Sequence, residues 1–431
     1  MSRLCILFLL ALAPSVLGSW LEFRGPGGTG ITPGTNLPVH WGEGRNVKWK
    51  TPIPGRAWSS PVGMQGKIWL TTATTNGQEL SVLRVDAASG RMDLNRKLFQ
   101  VENPQYCHPF NTYASPTPVL EPGRVYVTFG AAGTACLDAG DARVLWEVRN
   151  LECNHFRGPG SSPILYRDLL ILNFDGSDKQ YVAAFEKQTG KIAWKTERSI
   201  DFRDLDGAGN PQMEGDYRKA YGTCLGIEVD GAPVLLSQGS KALYGYEPVS
   251  GRELWRLEER SSYSGSTRPV FGHGLIYLPS GFSSGEILAI RPGKNGEVLD
   301  ARGANSAPGV QLRVEWRTRK NAPKKPSLLL IGRLLFGVDD NGTATCWNAL
   351  TGEVFWSERL GGHFSASPIG NAQHVYFFSE EGKTTVVLAA PEFRKIAEND
   401  LGDGFMATPA PWEGGLILRS RSHLYLITET R

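Results

Sequence analysis

Basic and polar ring side chains collect in the short stretches that precede a recurring Ser-Pro, Thr-Pro or Arg-Pro pair. Arg56 and Trp58 come before Ser60-Pro61, and Cys107, His108, Asn111 and Tyr113 before Ser115-Pro116. Asn154, His155 and Arg157 come before Ser162-Pro163. Further on stand Arg218, Lys219 and Tyr221, then Tyr263 and Arg268, then Lys324 and Lys325, and then His363 ahead of Ser367-Pro368. Acidic residues are scarce in these stretches. Gathered on one rim, such side chains would focus a positive potential and attract an anionic or polar ligand. His108, Asn111, His155, Arg157, Arg218, Arg268 and His363 are therefore the candidate ligand-binding set. The competing reading is a solvated loop face whose arginines bond to neighbouring carbonyls. No carboxylate, Ser or Cys is paired with these residues in a recognisable catalytic pattern. Walker and His-Glu-x-x-His motifs are also absent. No catalytic residue is expected.

Cys107 and Cys153 stand nine and ten residues before Pro116 and Pro163, at matching places in the pattern. In an exported chain they are expected to form a disulfide. With His108 and His155 they would alternatively make a Cys2His2 metal site, or they remain free thiols. There is no Cys-x-x-Cys, so the usual zinc spacing is missing and no metal is expected. Cys136 and Cys346 read as small buried core thiols. The stretch from Asp204 to Asn210 resembles part of a calcium loop, but Ala208 and Gly215 fall where ligands are required, so it reads as a solvated insertion.

The elements that must position these loops are short strands. Glu186-Lys-Gln-Thr-Gly190-Lys-Ile-Ala-Trp194 recurs as Glu247 to Trp255 and as Asn348 to Trp356, with weaker copies starting at Asp86 and Asp138. An acid or Asn opens each copy and binds its own backbone, Gly takes a positive-φ place, and a strand carrying Trp follows. Between this motif and the next Pro marker lie short Val, Ile, Leu and Tyr runs broken by turns. Each unit thus reads as about four strands, and helical periodicity is essentially absent. Eight units are counted, beginning near residues 59, 115, 161, 222, 266, 326, 365 and 407. The last has three strands before the chain stops. Residues 46–51, with Trp49 in the repeat's Trp place, are expected to supply the missing outer strand. Trp49, Trp146, Trp194, Trp255, Trp316 and Trp356 all fall on this one position, which predicts inter-unit packing rather than ligand contact.

The ends and the composition set the remaining bounds. Arg3, the apolar run Leu4 to Leu12, and Val16-Leu17-Gly18 read as a signal peptide over 1–18. Residues 19–45 follow as an extended segment, and 46–431 form a single domain. With 46 basic and 43 acidic residues the net charge is +3, which gives no nucleic-acid footprint. No later run is long and apolar enough for a membrane span.

At the Thr-Gly-x-x-x-Trp repeats the chain resembles the quinoprotein-type (pyrroloquinoline-quinone-like repeat) β-propeller family with tryptophan-docking motifs. The resemblance covers residues 46–431 and implies an all-β, eight-bladed propeller of four-stranded blades. Trp20-Leu-Glu-Phe-Arg-Gly-Pro-Gly-Gly-Thr-Gly30 is similar to the leader of a group of exported bacterial propellers of this kind. The family holds quinoprotein dehydrogenases, which bind pyrroloquinoline quinone and calcium, and BamB, a lipoprotein that binds protein partners without catalysis. The dehydrogenases commonly carry adjacent cysteines over the quinone; no two cysteines are adjacent here. No Glu, Asn and Asp set at equivalent blade positions is found either. Unlike BamB, the leader has no lipobox. The expectation is an exported, periplasmic or secreted, monomeric scaffold without cofactor. It would bind a protein partner or anionic small ligand at the channel mouth. A pyrroloquinoline-quinone-dependent oxidoreductase is the alternative.

Overall fold

The computed structural model describes residues 19–34, 36–149, 151–283, 285–302 and 313–429, so the signal peptide read over 1–18 lies outside the described residues. Eight blades of four antiparallel strands follow one another around an axis, and blade 4 gains a fifth, parallel outer strand, Glu297–Asp300. Blade 1 is Val62–Met64, Lys67–Ala73, Glu79–Asp86 and Met92–Gln100. Blades 2 to 7 repeat the plan within 119–148, 164–197, 225–258, 270–318, 329–359 and 369–400. Blade 8 is Ala410–Trp412, Gly415–Arg419, His423–Ile427 and, from the start of the chain, Val47–Pro52. Thr51 pairs with Leu424 and Trp49 with Leu426, so this strand forms the outer edge of the last blade.

The middle strands read as apolar runs because both faces of each blade are covered. Leu169–Asp175, for example, is buried at every residue after the first. The core is correspondingly divided into wedges between neighbours, such as Val82 and Phe99 of blade 1 against Val125 and Leu137 of blade 2. The repeat's Trp residues lock these wedges. The indole of Trp49 donates to the Ala87 carbonyl (2.9 Å), Trp146 to Lys187 (2.9 Å), Trp194 to Pro248 (3.2 Å), Trp316 to Ala349 (2.8 Å) and Trp356 to Ala390 (3.1 Å). Each acceptor sits in the turn of the next blade. The turn glycine is required twice over: Gly190 has φ 75°, and a Cβ there would stand 2.6 Å from the Trp146 ring. Trp255 departs from the rule. It packs on Gly293 of an insertion, and its indole N–H has no hydrogen-bond partner among the described residues.

A belt of hydroxyls joins the innermost strands. The backbone N–H of Ser60 donates to Thr117 (2.9 Å), Thr117 to Ser162 (2.9 Å), and Ser162 to Thr223 (3.1 Å). The series resumes from Arg268 to Ser327 (2.9 Å), Ser327 to Ser367 (3.0 Å), Ser367 to Thr408 (2.9 Å) and Thr408 back to Ser60 (3.1 Å). This explains the Ser-Pro markers, with one correction. In blade 2 the belt residue is Thr117 before Pro118; Ser115 instead bonds within its own loop, to Asn111 (2.7 Å).

The segment after residue 19 crosses the inner strands beyond this belt. Trp20 pairs with Gly63 of blade 1, and Leu21 accepts from Leu120 of blade 2 (2.8 Å). Arg24 donates to the Leu328 carbonyl of blade 6 (2.6 Å), and Gly30 accepts from Gly370 of blade 7 (3.0 Å). A Cβ on Gly28 would meet the Arg268 guanidinium at 2.3 Å, which accounts for the glycine-rich composition of this stretch.

Candidate functional site at the channel mouth

The connections from each outer strand to the next inner strand share one face with the belt, and they surround a cavity of about 590 Å³. Loops from several blades line it, among them His108 and Phe110 before blade 2, Arg157 before blade 3, Lys219 before blade 4, Tyr263 before blade 5 and Lys324 before blade 6. The turn before blade 2 acts as a roof. Arg56 holds the Pro109 carbonyl and Trp58 the Phe110 carbonyl (2.9 Å). The Phe110 ring then reaches Lys325 of the opposite side, 4.4 Å from its ammonium.

Of the seven residues expected to bind ligand, His108, Asn111, Arg157 and His363 line this cavity, and His155, Arg218 and Arg268 do not. His108 is held below its ordinary pKa by burial and by the Arg157 charge, and its Nδ1 accepts from the Phe110 N–H (3.2 Å). Asn111 is spent on structure, donating to the Arg157 and Pro159 carbonyls (3.0 and 3.1 Å). His363 is exposed and pairs with Glu381 (3.0 Å). His155 is buried beside a second cavity between the blade 2 and blade 3 loops, where its Nε2 accepts from the Ala131 N–H (3.0 Å). Burial pushes it down to about 4, so it stays neutral. Arg218 is clamped by both oxygens of Asp204 (2.6 and 2.9 Å). Arg268 points into the blade interface, bonding Cys224 (3.0 Å) and Phe23 (2.6 Å) carbonyls and the Glu22 carboxylate (2.8 Å). Of these, Arg268 follows the carbonyl-bonding reading, because a buried guanidinium must spend its donors on nearby acceptors, whereas Arg218 spends its own on a carboxylate.

The Cys107–Cys153 disulfide is not formed; both are free thiols. Cys107 faces the Arg157 carbonyl (3.7 Å), whereas Cys153 is buried below Gly176 beside His155 Nδ1 (3.7 Å). Matching sequence positions thus point to different neighbours. Burial pushes Cys107 up to about 11 and raises Cys153 well above the usual thiol range.

Sequence reasoning missed the acids. Asp216 takes Arg157 (3.3 and 3.4 Å) and is in contact with the Lys219 ammonium. Asp340 lies near Lys325 (3.7 Å), and Glu380 bonds the same ammonium (3.0 Å). Asp216 comes from the 201–219 insertion and Asp340 from the Asp-Asp-Asn-Gly hairpin, outside the stretches next to the Pro markers. For Asp340 and Glu380 the signal is topological, since strand-two-to-three turns share the mouth face, whereas Asp216 stands in the same outer-to-inner connection as Arg218 and Lys219. The Asp206 carboxylate of the insertion caps the Ala208 and Asn210 N–H groups (2.9 Å each) rather than forming a cage. Four cations remain against two lining acids. Lys324 has no ion pair among the described residues; its ammonium lies 4.9 Å from the exposed Phe282 ring.

A calcium-held quinone needs several oxygen ligands converging on the ion. Here the lining carboxylates are separated and committed to Arg157, Lys219 and Lys325, and among the described residues no three His, Cys, Asp or Glu side chains are grouped to hold a metal. The donor set does not fit that group.

Repeat, belt and mouth together define an eight-bladed propeller with tryptophan docking. The sequence matches the profile of the family described as outer membrane protein assembly factor BamB over residues 42–216, 176–325 and 313–391, and the chain belongs to that family. No curated protein matches it in sequence. Among solved structures it is similar to quinohemoprotein alcohol dehydrogenase from Comamonas testosteroni, at 12% identity and TM-score 0.65 over 96% of this chain and 81% of that one. BamB from Moraxella catarrhalis is 10% identical with TM-score 0.56, covering 88% and 99%. A europium-containing methanol dehydrogenase is 11% identical with TM-score 0.54, covering 94% and 90%. At these identities the likeness is one of fold.

Proposed function

We propose that this protein is an exported, non-catalytic propeller scaffold whose channel mouth binds an acidic ligand with an apolar body, either a small molecule or an acidic segment of a protein partner. The observation that carries the reading is the mouth cavity itself. Its volume of about 590 Å³ is in the range of ligand sites, and it combines Phe110, Tyr221, Tyr263 and Phe282 with four cations against two carboxylates. Rings supply contact area, and Lys324, the lining cation with no ion pair among the described residues, orients an anion. Family membership supports a binding role, and the apolar run at 4–12 supports export to the periplasm or beyond. Among the described residues no helix is long and apolar enough to cross a membrane. The oxidoreductase reading draws on likeness of fold alone, and no feature of the mouth favours it.

The test is calorimetric titration with 2-naphthoate, an aromatic carboxylate. The expected result is one saturable site that weakens as salt rises. Lys324→Glu should weaken it about tenfold, the loss of one charge-assisted contact of about 1.4 kcal/mol. Absence of saturable binding, or equal binding by Lys324→Glu, would contradict the proposal.

A further inference from the structure

Lys219 is the residue of the mouth whose surroundings ask for more than charge. It is buried, yet it lines the cavity. Its ammonium lies 5.3 Å from the Phe156 ring and 5.6 Å from the Tyr263 ring. It donates to the Asp216 backbone carbonyl (2.9 Å) and touches the Asp216 carboxylate, which also takes Arg157. One negative charge therefore serves two cations in an aromatic, water-poor wall. Desolvation and an adjacent cation are the conditions that turn a lysine from a fixed charge into a nucleophile.

We propose that Lys219 captures an aldehyde or ketone group on an acidic ligand as a reversible imine, an inference that rests on the mouth being the binding site. Asp216 takes a proton from the ammonium, freeing the Nζ lone pair. The amine attacks the carbonyl carbon, and the C=O π pair moves to oxygen to give a carbinolamine after proton transfer. Return of the proton to the hydroxyl expels water as the C=N bond forms. The balance is ammonium plus carbonyl giving protonated imine plus water, with Asp216 restored as the carboxylate and no oxidant or reductant. Burial and the Arg157 charge push Lys219 down to about 7, which agrees with this role.

The experiment uses 6-formyl-2-naphthoate, the aldehyde counterpart of the binding probe, with borohydride supplied to reduce any imine to a stable secondary amine. Peptide mass mapping of the full chain at pH 7 reads the sites. Labelling at residue 219 should exceed that at any exposed lysine by at least about tenfold, because those amines stay protonated near 10.4. Excess 2-naphthoate should suppress it, and Lys219→Arg should abolish it. Binding of 2-naphthoate without preferential labelling at 219 would overturn the inference and leave the binding site standing. Failure of both probes to bind would overturn both.

Discussion

Arg268 stands where seven blades place Ser or Thr in the hydroxyl belt. Having no hydroxyl, it spends its guanidinium on Cys224, Phe23 and Glu22 and ties the leading segment to the junction of blades 4 and 5. In sequence, an Arg ahead of Pro near a loop cluster is indistinguishable from one aimed at a ligand. Only the backbone shows which carbonyls are within reach. His155 poses the same problem and has a pH consequence. Its folded pKa is about 4 against an ordinary 6.5, so protonation opposes folding. The stability tied to its neutral form is fully present above about 6.5 and is lost as pH falls toward 4, up to about 3 kcal/mol. Urea midpoints measured from pH 7.5 to 4 should fall for the wild type and fall less for His155→Gln. Parallel curves for the two proteins would contradict this assignment.

At the scale of elements, the repeat was legible because turn acid, glycine and Trp keep a fixed spacing, and each has a mechanical reason. Trp49 was legible on the same grounds, and Val47–Pro52 does pair with His423–Ile427. The blade 2 marker was misplaced because Ser115-Pro116 and Thr117-Pro118 both satisfy the pattern, and only hydrogen bonding separates them. The Asp204–Asn210 stretch read as a solvated insertion and Lys219 as part of the rim; Asp216, between them, went unread, yet it turns into the mouth beside Lys219, a placement that no periodicity encodes. Deleting residues 19–52 removes the outer strand of blade 8, the Trp49 lock on Ala87 and the segment across the inner strands. The exposed edge should drive aggregation, seen as rising light scattering on purification. A soluble monomer with unchanged melting would contradict the closure described.

For the molecule as a whole, the ring brings residues hundreds of positions apart in sequence to one mouth, with Phe110 of one side resting on Lys325 of the other. Charge balance at that mouth is decided by pairing across loops. This is why a basic rim in sequence becomes a mixed aromatic and ion-paired cavity in structure. The central claim, that this cavity is where the protein binds, is tested most directly by photoaffinity mapping with a diazirine-bearing 2-naphthoate on the full chain. Crosslinks should be confined to residues around 108–110, 263, 282 and 324–325, and be lost in the presence of excess 2-naphthoate. Crosslinks spread over outer blade surfaces, such as the exposed strand start at Ile192, with the mouth unlabelled, would contradict it.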